Sequence, residues 1–167
     1  MPAGREWLHG AGVYRIDGKA RLMIPASYRG PFSIGKNTAV VSRHNLGCLA
    51  IWPHDVFQAR LAAAYAVQDD GPEEFERAQR LIWNSDPADI DPQWRVTLPA
   101  ESRAYARLET ESPVRVVGAF EHIELWEPGY WDERNNRHLD KMMTSNEPLF
   151  PSRKALATGG LPSGGAA

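Results

Sequence analysis

The sequence predicts an α+β protein, mainly β with helical connections, in which two copies of one unit follow each other in a single chain. The first observation is a repeat at an offset of 74 residues. Ile16, Asp17, Arg21, Pro25, Ala26 and Arg29 align with Ile90, Asp91, Arg95, Pro99, Ala100 and Arg103. Further on, Val40 meets Val114, Leu49 meets Ile123, Ile51 meets Leu125, Trp52 meets Trp126 and Phe57 meets Trp131. Matches held in one register over so long a stretch mark a duplicated structural unit. The second observation is period-2 alternation within each copy, and the third is helical periodicity between and after the copies.

Each unit begins as strand, turn, strand. Tyr14 and Ile16 interleave with Val13, Arg15 and Asp17, and Leu22 and Ile24 interleave with Arg21, Met23 and Pro25. Asp17-Gly18-Lys19 supplies the turn, because glycine tolerates positive φ and aspartate can bond the following backbone. Pro25 and Pro99 stop their strands for want of an N–H donor, and short helical turns follow them. AVVSR with CLAIW, and VRVVG with HIELW, supply two further strands per copy. Pro53 opens a helix with Val56, Phe57, Leu61, Ala64 and Tyr65 at helical spacing. Asp70-Gly71-Pro72 breaks it and starts another, with Phe75, Ala78, Leu81 and Ile82 on one face. The resulting division is a first unit over 8–57, a helical linker over 58–86, a second unit with a C-terminal helix over 87–143, and a tail over 144–167. The tail, rich in Pro, Gly, Ser and Ala, is expected to be disordered because it buries too little apolar surface.

Composition excludes several classes. The 167 residues are 43% apolar and 24% charged with one cysteine, Cys48, which rules out an intrachain disulfide framework and points to a reducing, cytoplasmic setting. No apolar run approaches the roughly 20 residues of a membrane span. The net charge of -2 hides an asymmetry: residues 1–43 carry seven Lys/Arg against two acids, and the remainder carries 12 against 19. Local positive potential is what a phosphate-binding face needs, so the basic first stretch admits nucleic acid as a partner; a solvated basic end is the plain alternative.

The repeated pair Asp17/Arg21 and Asp91/Arg95 spans each predicted turn. A carboxylate and a guanidinium four residues apart across a tight turn can hydrogen-bond and brace it. Arg15, Lys19, Arg21 and Arg29 cluster on the first hairpin and the turn after it, and a two-stranded ribbon is narrow enough for a major groove. The second copy offers Gln93, Arg95 and Arg103 beside Asp89, Asp91 and Glu101, a weaker basic face. Enzyme chemistry finds little footing. Cys48 lies near His44 and Asp55 in sequence, but it begins an apolar strand and its repeat counterpart is His122. The five histidines show no HxxxH or HExxH spacing, so no metal site is expected, and no phosphate-cradling glycine motif occurs. On the residues alone, three readings stand: DNA binding through the hairpins, an oligomeric scaffold whose Asp/Arg pairs are purely structural, and an enzyme built on Cys48.

DGKARLMIPASYR, AVVSRHNLGCLAIWP, DIDPQWRVTLPAESRAYARLE and VRVVGAFEHIELWEPGYWDE, in this order and spacing, resemble the MraZ family, with swapped-hairpin units similar to those of AbrB and SpoVT. The resemblance covers about residues 8 to 135. It implies two pseudo-symmetric swapped-hairpin units and a ring-shaped homo-oligomer that binds double-stranded DNA. The expected target is direct repeats in the promoter preceding the division and cell-wall gene cluster, where the family acts mainly as a repressor. It implies no cofactor, no enzymatic activity, and a cytoplasmic, nucleoid-associated location. It places the hairpins of Asp17 to Arg21 and Asp91 to Arg95 against DNA, with Asp17 and Asp91 orienting the turns. Arg15, Lys19, Arg21, Arg29, Gln93, Arg95 and Arg103 are then the DNA-contacting residues. The family carries glycine before the motif arginine where this chain has Ala20 and Trp94, and an indole there is expected to impede close phosphate approach or to stack on a sugar.

Overall fold

The predicted strands form and, as the swapped-hairpin resemblance implies, the arms of each hairpin pair with the other copy rather than with each other. The computed structural model describes residues 7–34, 37–66 and 71–145. In chain order the elements are β1 (Ala11–Arg15), β2 (Arg21–Met23), a 3-10 turn (Ala26–Tyr28), α1 (Arg29–Phe32), β3 (Thr38–Arg43), β4 (Leu49–Pro53), α2 (His54–Ala66) and α3 (Pro72–Trp83). The second copy continues with β5 (Ser85–Asp89), β6 (Arg95–Thr97), α4 (Ala100–Tyr105), β7 (Pro113–Ala119), β8 (His122–Trp126) and α5 (Pro128–Thr144). Six strands make one antiparallel sheet in the order β1-β7-β8-β4-β3-β5, and β2 and β6 make a separate antiparallel pair.

Under the repeat, β1, β3 and β4 correspond to β5, β7 and β8, so the sheet order reads the same from either end and a pseudo-twofold axis passes between β4 and β8. Within each hairpin only a single bridge survives next to the tip, Ile16 with Leu22 and Ile90 with Val96. The reason is burial. A three-residue arm with one apolar face cannot cover itself, whereas exchange of arms brings Ile16, Leu22, Ile24, Ile90, Val96 and Leu98 into one core. Each such side chain contributes roughly 1.5–3 kcal/mol by leaving water. The fold class is therefore the expected one, two swapped-hairpin units interlocked in one chain.

The repeat is less regular than the alignment suggests. Ala39 and Val41 face the core together with Val114 and Val116, so Val114 corresponds to Ala39 and not to Val40, which is buried outside that cluster. The correspondence slips by one residue before β7 and returns in the tight β7–β8 turn, after which Leu49 and Ile51 again match Ile123 and Leu125. Gly118 permits the chain ahead of β1 to cross close by: a Cβ there would collide with the His9 backbone nitrogen. At the opposite edge, β5 contains Pro87, whose missing N–H suits an edge strand.

The helices between the copies pack less fully than their periodicity predicts. α2 buries Val56 and Phe57 and leaves Tyr65 exposed. On α3, Phe75, Ile82 and Trp83 are 43%, 55% and 70% exposed, so these apolar side chains are left uncovered among the described residues. The described residues divide into two compact units, the first ending at Trp131 and the second beginning at Asp132. In the latter, α5 continues to Thr144 without a buried side chain, and the Thr144 hydroxyl donates to the Asp140 carbonyl at 2.9 Å. The segment expected to be disordered lies, from residue 146 on, outside the described residues. Among the described residues no helix is long and apolar enough to cross a membrane.

Candidate nucleic-acid interface

The two hairpin tips are built alike. Asp17 Oδ1 accepts the backbone N–H groups of Lys19 and Arg21, both at 2.9 Å, while Oδ2 accepts Arg21 Nε at 2.8 Å and lies 2.7 Å from Arg21 Nη2. In the second copy Asp91 Oδ1 accepts Gln93 N and Arg95 N at 2.9 Å, and Oδ2 accepts Arg95 Nε at 2.7 Å. The carboxylate thus holds the turn backbone and orients its arginine at once. A guanidinium has five N–H donors, so this bracing leaves part of each fork able to meet an acceptor outside the turn.

Hydrogen bonding from the Arg21 side chain, joined by that from the Arg21 backbone, lowers the Asp17 carboxyl to about 2. Burial pushes Asp91 up, but the bonds from Arg95 and Gln93 outweigh it and leave this carboxyl below its ordinary value as well. Because the folded value is depressed, the stabilisation from Asp17 is complete above its unfolded value near 3.8 and disappears as pH falls through about 2. An NMR titration of the Asp17 carboxyl carbon is expected to show a midpoint near 2, and Arg21→Ala to return it toward 3.8.

Ala20 and Trp94, which stand where the family carries glycine, have φ of 59° and 62°. The backbone at both is left-handed, which explains a preference for glycine. This geometry turns their carbonyls across to the other copy: Ile24 N donates to Trp94 O at 2.7 Å, and Leu98 N donates to Ala20 O at 2.8 Å. These reciprocal bonds lock the two tips to one another. The Trp94 ring packs against the core, and the Arg29 guanidinium lies over it at 5.3 Å from the ring centroid. The matched positions therefore respond differently to glycine. Ala20→Gly relieves strain of about 1 kcal/mol and is expected to leave stability equal or slightly higher. Trp94→Gly relieves the same strain but removes the packed indole, and is expected to cost about 1–3 kcal/mol. Urea unfolding of the two variants checks the difference.

Of the other residues expected at DNA, Arg15 and Lys19 are exposed on the first hairpin, and Gln93 is exposed on the second, where its Oε1 accepts Arg95 Nη2 at 2.9 Å. Arg29 and Arg103 are half-buried. Their Nε groups donate to the carbonyls of Ile24 at 2.9 Å and Leu98 at 3.3 Å, tying the turn after each hairpin to its arm. The swap brings tips of opposite character together: Arg15 and Lys19 make the first positive, whereas Asp89 and Gln93 at the equivalent places leave the second acidic. Sequence reasoning missed Glu111, whose side chain lies beside Gly18 at the first tip; no local motif announced it.

A fold of two interlocked hairpin units with paired Asp/Arg-braced tips defines a swapped-hairpin protein of the class similar to AbrB and SpoVT. The chain is matched over residues 7–78 and 81–147 by the family model for MraZ protein, which its description calls antitoxin-like. It is 36% identical over 126 residues to the transcriptional regulator MraZ of a Nocardioides species, covering 73% of this chain and 83% of the relative. The MraZ regulator of Thermomicrobium roseum is 34% identical, with 73% and 82% covered, and that of Corynebacterium urealyticum is 30% identical, with 81% and 92% covered. The chain belongs to the MraZ family.

Proposed function

We propose that the protein is a sequence-specific DNA-binding transcriptional regulator. It acts mainly as a repressor, on direct repeats in the promoter preceding the division and cell-wall gene cluster, and it works in the cytoplasm at the nucleoid. The observation that carries this reading is the first tip: a rigid turn in which Asp17 presents Arg21 between the exposed side chains of Arg15 and Lys19. Arg21 and Arg95 contact bases or phosphates, Arg15 and Lys19 contact phosphates, and Gln93 supports Arg95. Arg29 and Arg103 hold the hairpins as well as adding positive charge. The names of the relatives support the regulatory role. Assembly as a homo-oligomeric ring is supported by the exposed apolar face of α3, since Phe75, Ile82 and Trp83 suit burial against another subunit.

One observation favours a rival reading, an oligomeric scaffold without DNA binding: both motif arginines are engaged inside their own turns. Gel shifts against the DNA upstream of the protein's own gene separate the two. The regulator binds short direct repeats there, and its affinity falls steeply with salt because phosphate contacts release counterions. Absence of specific binding at low salt would favour the scaffold.

A further inference from the structure

On the face of the sheet turned away from the hairpin core, three side chains from separate parts of the sequence converge. His44 and Cys48 flank the β3–β4 turn, and Glu124 lies at the middle of β8. One ligand atom from each lies within 4.8 Å of the other two. We propose that His44, Cys48 and Glu124 form a binding site for a divalent transition-metal ion of the zinc class.

The position follows from the symmetry of the sheet. Ala50 pairs with Glu124 across β4 and β8, and these two positions correspond under the repeat. The axis thus passes through a site where one copy carries a carboxylate and the other only a methyl group, which leaves space above the sheet for groups from the neighbouring turn. That turn is closed by His44 N donating to Cys48 O at 2.9 Å and Gly47 N donating to His44 O at 3.0 Å, and Gly47 takes a φ of 86°. The closure sets His44 and Cys48 on one side, as a ligand pair requires.

The donor set is an imidazole, a thiol and a carboxylate, which matches the N, S and O ligands of zinc; calcium and magnesium take oxygen ligands alone. At bond lengths of about 2.0–2.3 Å, tetrahedral nitrogen, oxygen and sulfur ligands stand roughly 3.3–3.6 Å apart, so binding requires the three groups to draw together by up to about 1.5 Å. The surroundings already hold the carboxylate in place. Trp126 Nε1 donates to Glu124 Oε2 at 2.8 Å, and His122 Nε2 lies 3.5 Å from Oε1. The His122 ring is stacked on Trp52 at 4.0 Å and parallel to His44 at 6.0 Å, which makes it an outer support for the carboxylate. One contact must give way: Leu46 N donates to His44 Nδ1 at a long 3.3 Å, and ligation through either ring nitrogen breaks that bond. Because His44 and Cys48 belong to one copy and Glu124 to the other, the ion would cross-link the two repeats at their axis.

The test is titration of the full chain, freed of metal with a chelator, by cobalt(II), which reports thiolate ligation through a charge-transfer band in the near ultraviolet. The band is expected to saturate at one ion per chain and to be displaced by zinc. Cys48→Ser should abolish it. His44→Ala and Glu124→Gln should each weaken binding at least about tenfold while melting like the parent in chelator, which keeps the test valid if the buried Cys48 does not tolerate serine. At equal concentration zinc should raise the melting temperature of the parent more than that of His44→Ala. No thiolate band at one equivalent, or a band equally strong in His44→Ala and Glu124→Gln, would overturn the proposal.

Discussion

A duplex carrying two direct repeats in helical phase is expected to bind the protein about 10²- to 10⁴-fold more tightly than a duplex with one repeat. The net charge of -2 gives no general attraction to DNA. The reciprocal bonds of Ile24 and Leu98 fasten the two tips of a chain together, yet only the first carries basic side chains beside its motif arginine, Arg15 and Lys19. One chain thus offers a single basic tip with a handful of contacts, too few for strong binding at physiological salt. On the proposed function, affinity is expected to come from several chains on one duplex, and the exposed apolar side chains of α3 are suited to joining them. Displacing the second repeat by about half a turn, roughly 5 base pairs, rotates its major groove away and should remove most of the gain. Titration of one-repeat, two-repeat and phase-shifted duplexes checks this. Equal affinity for all three would mean that the subunits do not share the duplex.

Arg21→Ala is expected to reduce DNA affinity by roughly one to two powers of ten, in line with about 1–3 kcal/mol for a lost arginine contact, and Arg95→Ala by distinctly less. Both substitutions release the same kind of bracing, since each aspartate loses the side-chain half of its bonds and keeps the backbone half. The difference lies in the setting. Lys19 and Arg15 reinforce Arg21, while Gln93 and Asp89 occupy the equivalent places around Arg95. The inward packing of Trp94 means that charge rather than steric obstruction carries this asymmetry. Fluorescence anisotropy at two salt concentrations, with thermal melts to confirm folding, checks it. Equal losses for the two variants would show that both tips meet DNA alike.

How far the chain could be read in advance depended on the range of the interactions involved. The repeat, the strands, the Asp/Arg turns and the basic bias of the first copy were legible because alternation, turn chemistry and charge act over a few residues. At that range Asp17 and Arg21, or Asp91 and Arg95, find each other without help from the rest of the fold. The same locality explains the errors. Alignment paired Val114 with Val40, but registry in a sheet is decided by which side chains reach the core, and burial chose Ala39. α3 has the periodicity of a packed helix, yet periodicity cannot say whether the partner surface belongs to the same chain.

The exchange of arms, expected from the resemblance, is enforced because neither hairpin could bury Leu22 or Val96 by itself. Tertiary structure alone decided two matters. It demanded left-handed backbone at Ala20 and Trp94, because their carbonyls must reach the other copy. It drew His44, Cys48 and Glu124 together at the pseudo-twofold axis, a meeting that no spacing along the chain encodes, because it arises from strand pairing between residues separated by almost half the sequence. Sequence by itself determined the unit and its duplication; the apolar surface that each unit could not cover alone determined how the two were joined.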